Sequence, residues 1–198
     1  MPQEQAQRRT QEERRETTRR AILDATLVCL GRLGYAGTSI GEVVKEAGVS
    51  RGAIFHHYPS KLDLAAAAIT DFYEQRFERL KQRLILEGGR DLTLPKRLAI
   101  FREDIDAWSP VGFEIMIATR TDPDLRREYL RRVEPRTAEM VETYERMFPE
   151  FGKLESPELM IGVVGAFLRG LTLEGSDGPP DRADRLFALF ANMVAKSV

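Results

Sequence analysis

The chain has 198 residues, of which 42% are hydrophobic and 31% charged, and its net charge is −1. This composition is typical of a soluble globular protein with one or two domains, and it excludes a disordered or membrane-embedded chain. A single cysteine, Cys29, excludes an internal disulfide and predicts a cytoplasmic protein. No apolar run approaches the ~20 residues of a membrane span, and no secretory signal is expected at the N-terminus.

The charge is unevenly distributed along the chain. Residues 1–61 carry ten lysines and arginines against seven acidic residues, whereas the remainder carries twenty against twenty-four. A mildly basic first part joined to an acidic remainder favours a nucleic-acid-binding head on a body that does not bind nucleic acid.

Residues 1–15 are polar and lack hydrophobic periodicity, which predicts a flexible tail, either disordered or a frayed extension of the next helix. Three arginine pairs could touch DNA phosphates or a minor groove, but interspersed glutamates favour a solvated charged surface. The pairs are Arg8 and Arg9, Arg14 and Arg15, and Arg19 and Arg20. From about Thr18 to Leu33 the apolar spacing predicts a helix that Gly34 closes.

Residues 38–61 predict two short helices joined by a tight turn, followed by the start of a third helix. Each predicted helix begins after a hydroxyl side chain that can accept a free backbone N–H, and glycine or proline ends it. In chain order these residues are Thr38 or Ser39, Gly48, Ser50, Pro59 and Ser60. A helix, a turn containing glycine and a second helix form the helix-turn-helix pattern.

The second of these helices, residues 51–57, is too short and too polar to belong to a core. Only Ile54 and Phe55 are large and apolar. A small polar helix backed by a buried first helix suits insertion into the DNA major groove. The alternative is an ordinary helical hairpin without a DNA-binding role.

About residues 16–76 closely resemble the TetR family of bacterial transcriptional regulators. The matching positions are residues 21–25, Gly34 and Tyr35, residues 38–40, residues 47–52, residues 55–58 and Lys61. The resemblance implies an all-α protein with an N-terminal three-helix DNA-binding head (residues 16–76) and a C-terminal regulatory body (residues 77–198). About nine helices are expected in total.

On the family pattern, DNA contacts are expected at the starts of the two short helices and along the second one. The expected contact residues are Ser39, Ile40, Gly41, Ser50, Arg51, Gly52, Ala53, Phe55, His56, His57 and Lys61. Arg51 can pair with guanine in the major groove, and Lys61, beside a helix N-terminus, favours a phosphate. The family most often has tyrosine at Phe55 and His56, so Phe55 lacks a phenolic hydroxyl and an inward orientation is an alternative.

The body is predicted to consist of helices alone. A long helix from Lys61 to about Gly88 links head and body. Two helices, separated at Pro110, are expected within residues 93–119. A long helix from Asp122 to Met147 should be kinked at Pro135. Further helices are expected after Pro157 and from Arg182 to Lys196, with a turn over residues 175–180.

The last two helices are more apolar than one monomer core requires, which favours a homodimer through a four-helix interface. The resemblance implies the same contact. The alternative is that both helices only complete the monomer core.

The resemblance also implies a pocket in the body for a small-molecule inducer of unknown identity. Aromatic and methionine side chains with a few polar groups suit such a ligand. The alternative is that most of these side chains belong to the ordinary helical core, so that only about one in three lines a cavity. The candidate residues are Phe101, Trp108, Phe113, Met116, Arg120, Tyr144, Phe167 and Arg169.

Neither a metal, a cofactor nor catalysis is predicted. His56 and His57 are adjacent on a helix and point about 100° apart, so a shared metal ion is disfavoured. The acidic pairs Asp104 with Asp106 and Asp122 with Asp124 are interpreted as solvated faces and helix caps. The sequence therefore predicts a homodimeric, ligand-responsive repressor of a palindromic operator; the alternatives are a small helical enzyme and a ligand-independent architectural DNA-binding protein.

Overall fold

The structure, a computed structural model, describes residues 2–177, 179 and 181–198. The described residues form α-helices and short 3-10 turns without a strand, so the prediction of an all-α fold is confirmed. The helices are α1 (Pro2–Gly37), α2 (Ile40–Ala47), α3 (Arg51–His57), α4 (Lys61–Leu86), α5 (Leu94–Thr121), α6 (Pro123–Val133), α7 (Thr137–Met147), α8 (Pro157–Asp177) and α9 (Arg182–Ser197).

The first helix is longer than the sequence pattern predicts. It begins at Pro2, so residues 2–15 extend the helix that was expected from Thr18. At Gly34 the backbone leaves the helical region, with φ 65° and ψ 174°, and one further turn continues to Gly37. The predicted closure at Gly34 is therefore a kink, because glycine alone adopts this conformation without strain.

Proline shapes the middle of the chain in two different ways. The predicted break at Pro110 is wrong, since α5 continues through it. Proline cannot donate to the carbonyl of Asp106, but the Ser109 hydroxyl donates to that oxygen at 3.0 Å and replaces the missing bond. Pro135, by contrast, divides the predicted 122–147 helix into α6 and α7 through a 3-10 turn at Glu134–Arg136.

Two of the acidic residues interpreted from the sequence as caps or solvated faces have different environments in the structure. Asp122 caps α6 as predicted, and its carboxylate accepts the backbone N–H of Leu125 at 2.8 Å. Asp104 is buried and accepts from Arg76 at 2.7 Å, so its interpretation as part of a solvated face is wrong. Burial raises the pKa of Asp104 despite the neighbouring guanidinium.

The chain forms two compact units, each with its own apolar core. The first comprises residues 1–73 and 110–134, and the second comprises residues 74–109 and 135–198. The inclusion of residues 110–134 with the N-terminal part was not predicted from the sequence. Of the turn predicted at residues 175–180, Gly178 and Pro180 lie outside the described residues, and α8 extends to Asp177.

In the first unit, the segment 110–134 packs on α1 and on the first half of α4. A Cβ on Gly31 would lie 3.0 Å from Val111, and one on Gly34 would lie 3.2 Å from the Glu114 carboxylate. The rings of Tyr73 and Tyr129 are 5.9 Å apart between centroids. Small residues on α1 therefore permit the close approach of α5.

Replacement of Gly34 by alanine should destabilise the protein by about 1–3 kcal/mol, because this φ and ψ combination is nearly exclusive to glycine. Gly112→Ala is the control: Gly112 is helical with open space around its Cβ position, and alanine there should add about 0.5–1 kcal/mol. Urea unfolding followed by circular dichroism measures both free energies. Equal stability of Gly34→Ala and wild type would contradict the strained conformation.

Candidate DNA-binding surface

The first helix of the helix-turn-helix, α2, is fixed at both ends by local hydrogen bonds. The Ser39 hydroxyl accepts the backbone N–H of Glu42 at 3.2 Å. Gly48, at φ 64° and ψ 27°, donates its N–H to the carbonyl of Val44 at 3.1 Å. These are the N-terminal cap and the left-handed C-terminal cap that the sequence predicts.

The second helix, α3, is held by one buried side chain and two capping interactions. Ser50 accepts the N–H of Ala53 at 3.1 Å, and Tyr58 donates its N–H to Ile54 at 2.8 Å. Among its seven residues only Ile54 is buried, with 0% exposure. It packs in the core of the head with residues of α1, α2 and α4, including Ile22, Val43 and Leu64.

The remaining side chains of α3 lie on the surface. Arg51, Gly52, Phe55 and His56 are exposed, and Ala53 and His57 are half-buried. Phe55 has 42% exposure, and the guanidinium carbon of Arg51 lies 5.6 Å from its ring centroid. The inward orientation considered for Phe55 is therefore wrong, and its ring forms part of the outer face with Arg51.

At the start of α2 the three predicted contact residues differ in exposure. Ser39 and Gly41 are exposed, whereas Ile40 is buried and belongs to the core of the head. The side chain of Ile40 therefore stabilises α2, and only its backbone remains available to a ligand at the helix N-terminus.

Lys61 is less open than the sequence suggests. Its ammonium lies 4.4 Å from the ring centroid of Tyr35 and donates to the carbonyl of Ala36 at 3.5 Å. Partial burial lowers the pKa of Lys61, and the carboxylate of Asp122 opposes that effect. In the free protein this ammonium thus packs against the end of α1.

Two arginines of α1 lie beside the C-terminal end of α3, an arrangement that sequence reasoning did not predict. Arg19 pairs with Glu16 at 2.7 Å and hydrogen-bonds to Tyr58, the residue that follows α3. Burial lowers the pKa of His57, and His56, Arg15 and Arg19 lower it further. The arginine pairs at residues 14–15 and 19–20 are the available sequence signal, but the interspersed Glu12, Glu13 and Glu16 favour a solvated interpretation.

The eight residues predicted to line a ligand pocket are divided between the two units. Three belong to the first unit and five to the second. In the second unit, Phe101 is buried with Tyr144 and Phe148, and Phe167 stacks on Phe190 at 3.9 Å between centroids. Arg169 is exposed. The guanidinium carbon of Arg79 lies 4.5 Å from the ring centroid of Trp108. Of the three in the first unit, Phe113 is half-buried and Met116 and Arg120 are exposed.

The second unit contains a cavity of about 300 Å³ elsewhere. It lies between the end of α4, the start of α5 and the end of α7, and none of the eight predicted residues is among its lining. The lining residues are Lys81, Leu84, Ile85, Gly89, Arg97, Thr143, Arg146 and Met147.

In the part of the chain that the structure describes, no three His, Cys, Asp or Glu side chains are grouped to hold a metal ion. Cys29 is buried, and desolvation raises the pKa of its thiol. Over the same residues, no helix is both long enough and apolar enough to span a bilayer.

Comparison with known proteins relates the chain to helix-turn-helix regulators. The family model described as bacterial regulatory proteins, tetR family, matches residues 22–68. The chain is 38% identical over 128 residues to the transcriptional regulator CymR of Pseudomonas putida, a match that covers 64% of the chain and 63% of CymR. It is 33% identical over 162 residues to an HTH-type transcriptional regulator of Mycobacterium tuberculosis, and that match covers 81% of each protein.

Solved structures share the fold over most of the chain. The reduced form of NemR from E. coli matches with a TM-score of 0.67 at 17% identity, over 88% of this chain and 96% of that one. A transcriptional regulator from Saccharomonospora viridis, solved in complex with choline, matches with a TM-score of 0.61 at 19% identity, over 89% and 94% of the two chains.

Loss of the Ser50 cap should destabilise the protein measurably. Ser50→Ala removes the acceptor for the N–H of Ala53 and should cost about 1 kcal/mol. Ser50→Asp keeps an acceptor at the same position and should stay within about 0.5 kcal/mol of wild type. Both values come from urea unfolding, and equal losses in the two variants would contradict the capping role.

Proposed function

The chain belongs to the TetR family of bacterial regulatory proteins, and from that membership we propose that it is a homodimeric repressor that a small molecule releases from a palindromic operator. The family defines it as a DNA-binding transcriptional regulator. The operator, the dimer, repression and release are the parts that we propose, and we expect the protein to act in the cytoplasm, where bacterial DNA lies.

The observation that carries the proposal is the exposure of α3. A seven-residue helix with one buried side chain contributes little to the core. Its caps and the packing of Ile54 instead hold six other residues at the surface. A short helix with small residues at its start can enter the major groove closely enough for side chains to reach base edges.

Distinct roles are proposed for the residues on this surface. Arg51 would donate to the two acceptors of a guanine, while Gly52 and Ala53 would permit close approach and let the Ala53 methyl meet a thymine methyl. His56, His57 and the free N–H groups at Ser39 and Gly41 would contact phosphates, which position the helix without specifying sequence. Lys61 would leave the ring of Tyr35 to reach a phosphate.

The dimer is proposed to form through α8 and α9, because both helices expose apolar side chains at helical spacing. On α8, Leu159, Val163 and Leu173 are exposed, with Ala166 and Gly170 between them on the same face. On α9, Leu189 and Met193 are exposed. The spacings of three and four residues on α8, and of four residues on α9, suit packing of this helix pair against a second pair.

Ligand release is proposed to act through α4. Residues 61–73 of this helix belong to the first unit and residues 74–86 to the second, so one helix carries both a proposed DNA contact and part of the cavity lining. A ligand lowers DNA affinity only if it binds more tightly to an arrangement in which the heads do not fit the operator.

Arg51→Ala and Lys61→Ala should weaken DNA binding in different ways. Arg51→Ala should cost about 1–3 kcal/mol on the preferred operator and relax base preference at one position per half-site. Lys61→Ala should weaken every sequence similarly and reduce the slope of log affinity against log salt by about 1 per contact. Binding titrations on several duplexes at two salt concentrations measure both effects.

Arg127→Ala is the matched control, since Arg127 is an exposed arginine of α6 that pairs only with nearby Asp124 in the described contacts. It should leave affinity and salt slope unchanged. Identical effects of Arg51→Ala and Lys61→Ala on every duplex would contradict the division between base reading and phosphate contact.

A further inference from the structure

We propose that the 300 Å³ cavity of the second unit binds a small amphipathic anion, namely an apolar molecule carrying one carboxylate or similar group, and that this anion is the effector. The effector role depends on the function proposed above, whereas the binding of the anion does not. The site differs from the aromatic cluster that the sequence suggests.

The apolar part of the site comes from α4 and α7. Leu84 is buried in the core of the unit, Met147 is half-buried, and Ile85 is exposed at the end of α4. These side chains form a surface for an aliphatic or aromatic group that would otherwise contact water. A volume of 300 Å³ equals that of about ten water molecules, so the ligand is small.

The charged part of the lining is cationic. Lys81, Arg97 and Arg146 line the cavity, and none of the described lining residues is acidic. Arg97 has 2% exposure and is fixed by hydrogen bonds to the carbonyl of Leu92, at 2.6 Å, and to the carboxylate of Glu150. Because Glu150 offsets the charge of Arg97, Arg97 mainly shapes the cavity wall, and the cations that can accept a new anionic partner are Lys81 and Arg146.

The acidic partners of these cations lie outside the lining. Lys81 pairs with Glu78 one turn earlier on α4, and Arg146 pairs with Glu142 at 3.4 Å on α7. Both carboxylates are exposed, so these pairs contribute little free energy and can open at small cost when a ligand competes. Glu150 stays with Arg97 and holds that guanidinium in position.

Arg146 is also aligned by a neighbour on the cavity wall. Its guanidinium donates to the Thr143 hydroxyl at 3.1 Å, and that hydroxyl donates to the carbonyl of Glu139 at 2.8 Å. The polar lining thus offers N–H donors on two helices, Lys81 on α4 and Arg146 on α7. An anion can bridge them, whereas a cation would be repelled and a neutral molecule would leave the donors without new partners.

Bridging gives the ligand a means of regulation. Lys81, Leu84 and Ile85 belong to the end of α4, and Arg146 and Met147 belong to α7. A ligand that draws these two helix ends together stabilises one position of α4 over others. The ligand alters DNA binding only if its affinity for the chain differs between this position of α4 and the position that fits the operator.

The binding claim is tested by isothermal titration of the full chain, without DNA, with octanoate, octanol and octylamine as probes. The three share an eight-carbon chain and differ in charge. Octanoate should bind at least tenfold more tightly than either other probe, with one site per chain and weaker binding at higher salt. Equal affinity for octanoate and octanol, tighter octylamine binding or no octanoate binding would overturn the proposal.

Lys81→Ala and Arg146→Ala test the location of the site. Both side chains are largely outside the core, so the variants should fold, which circular dichroism checks. Each should lower octanoate affinity at least fivefold and leave octanol binding unchanged. Lys153→Ala, which removes an exposed lysine of the same unit, is the control and should bind octanoate like wild type. Wild-type octanoate affinity in both cavity variants would overturn the assignment.

Operator binding with and without octanoate then separates the two proposals. If octanoate lowers the DNA affinity of wild type but not that of Lys81→Ala or Arg146→Ala, the anion site and its effector role are both supported. Octanoate binding that leaves DNA affinity unchanged overturns the effector role. DNA binding without octanoate binding overturns the anion site alone, and octanoate binding by a chain that binds no DNA overturns the proposed repressor function alone.

Discussion

The burial of Ile54 is the interaction on which the proposed DNA-binding surface depends. A helix of seven residues is too short to be stable in water by itself, so α3 exists because this one side chain enters the core formed by α1, α2 and α4. The Ser50 and Tyr58 capping bonds satisfy the backbone groups at its two ends. The exposed side chains of α3, namely Arg51, Phe55 and His56, are consequently not needed for the core and are available for recognition.

The same head is braced by a segment distant in sequence. Residues 110–134 pack on α1 beside the kink at Gly34, and Arg132 of α6 lies 3.6 Å from Asp63 at the start of α4. Asp122, which caps α6, acts electrostatically on both Tyr35 and Lys61. The proposed DNA contact Lys61 therefore shares its surroundings with the end of α5 and the start of α6, so a shift of those helices would alter the head.

Local signals in the sequence predicted the head well, because its determinants are local. Ser39, Gly48, Ser50 and Ser60 each act within four residues of their own position, and the structure has all four in the expected roles. The exposure of Phe55 was harder to predict, since it depends on which single apolar residue of α3 enters the core.

The body was less predictable because its determinants are tertiary. Proline usually breaks a helix because it has no N–H to donate. At Pro110 the Ser109 hydroxyl donates to the Asp106 carbonyl in place of that N–H, and whether a side chain does this depends on the folded structure. The sequence around Asp104 predicts a surface charge, because its partner Arg76 is 28 residues earlier in the chain. The cavity lining comes from three helices, and its cations, unlike aromatic residues, carry no sequence pattern that marks a ligand site.

The most direct test of the account is the DNA sequence that the full chain selects from a pool of random duplexes. If two copies each present α3, the recovered sequences should share an inverted repeat whose half-site centres lie about one helical turn, ~34 Å, or slightly more apart. Recovery of a single asymmetric site, or of no enriched sequence, would contradict it.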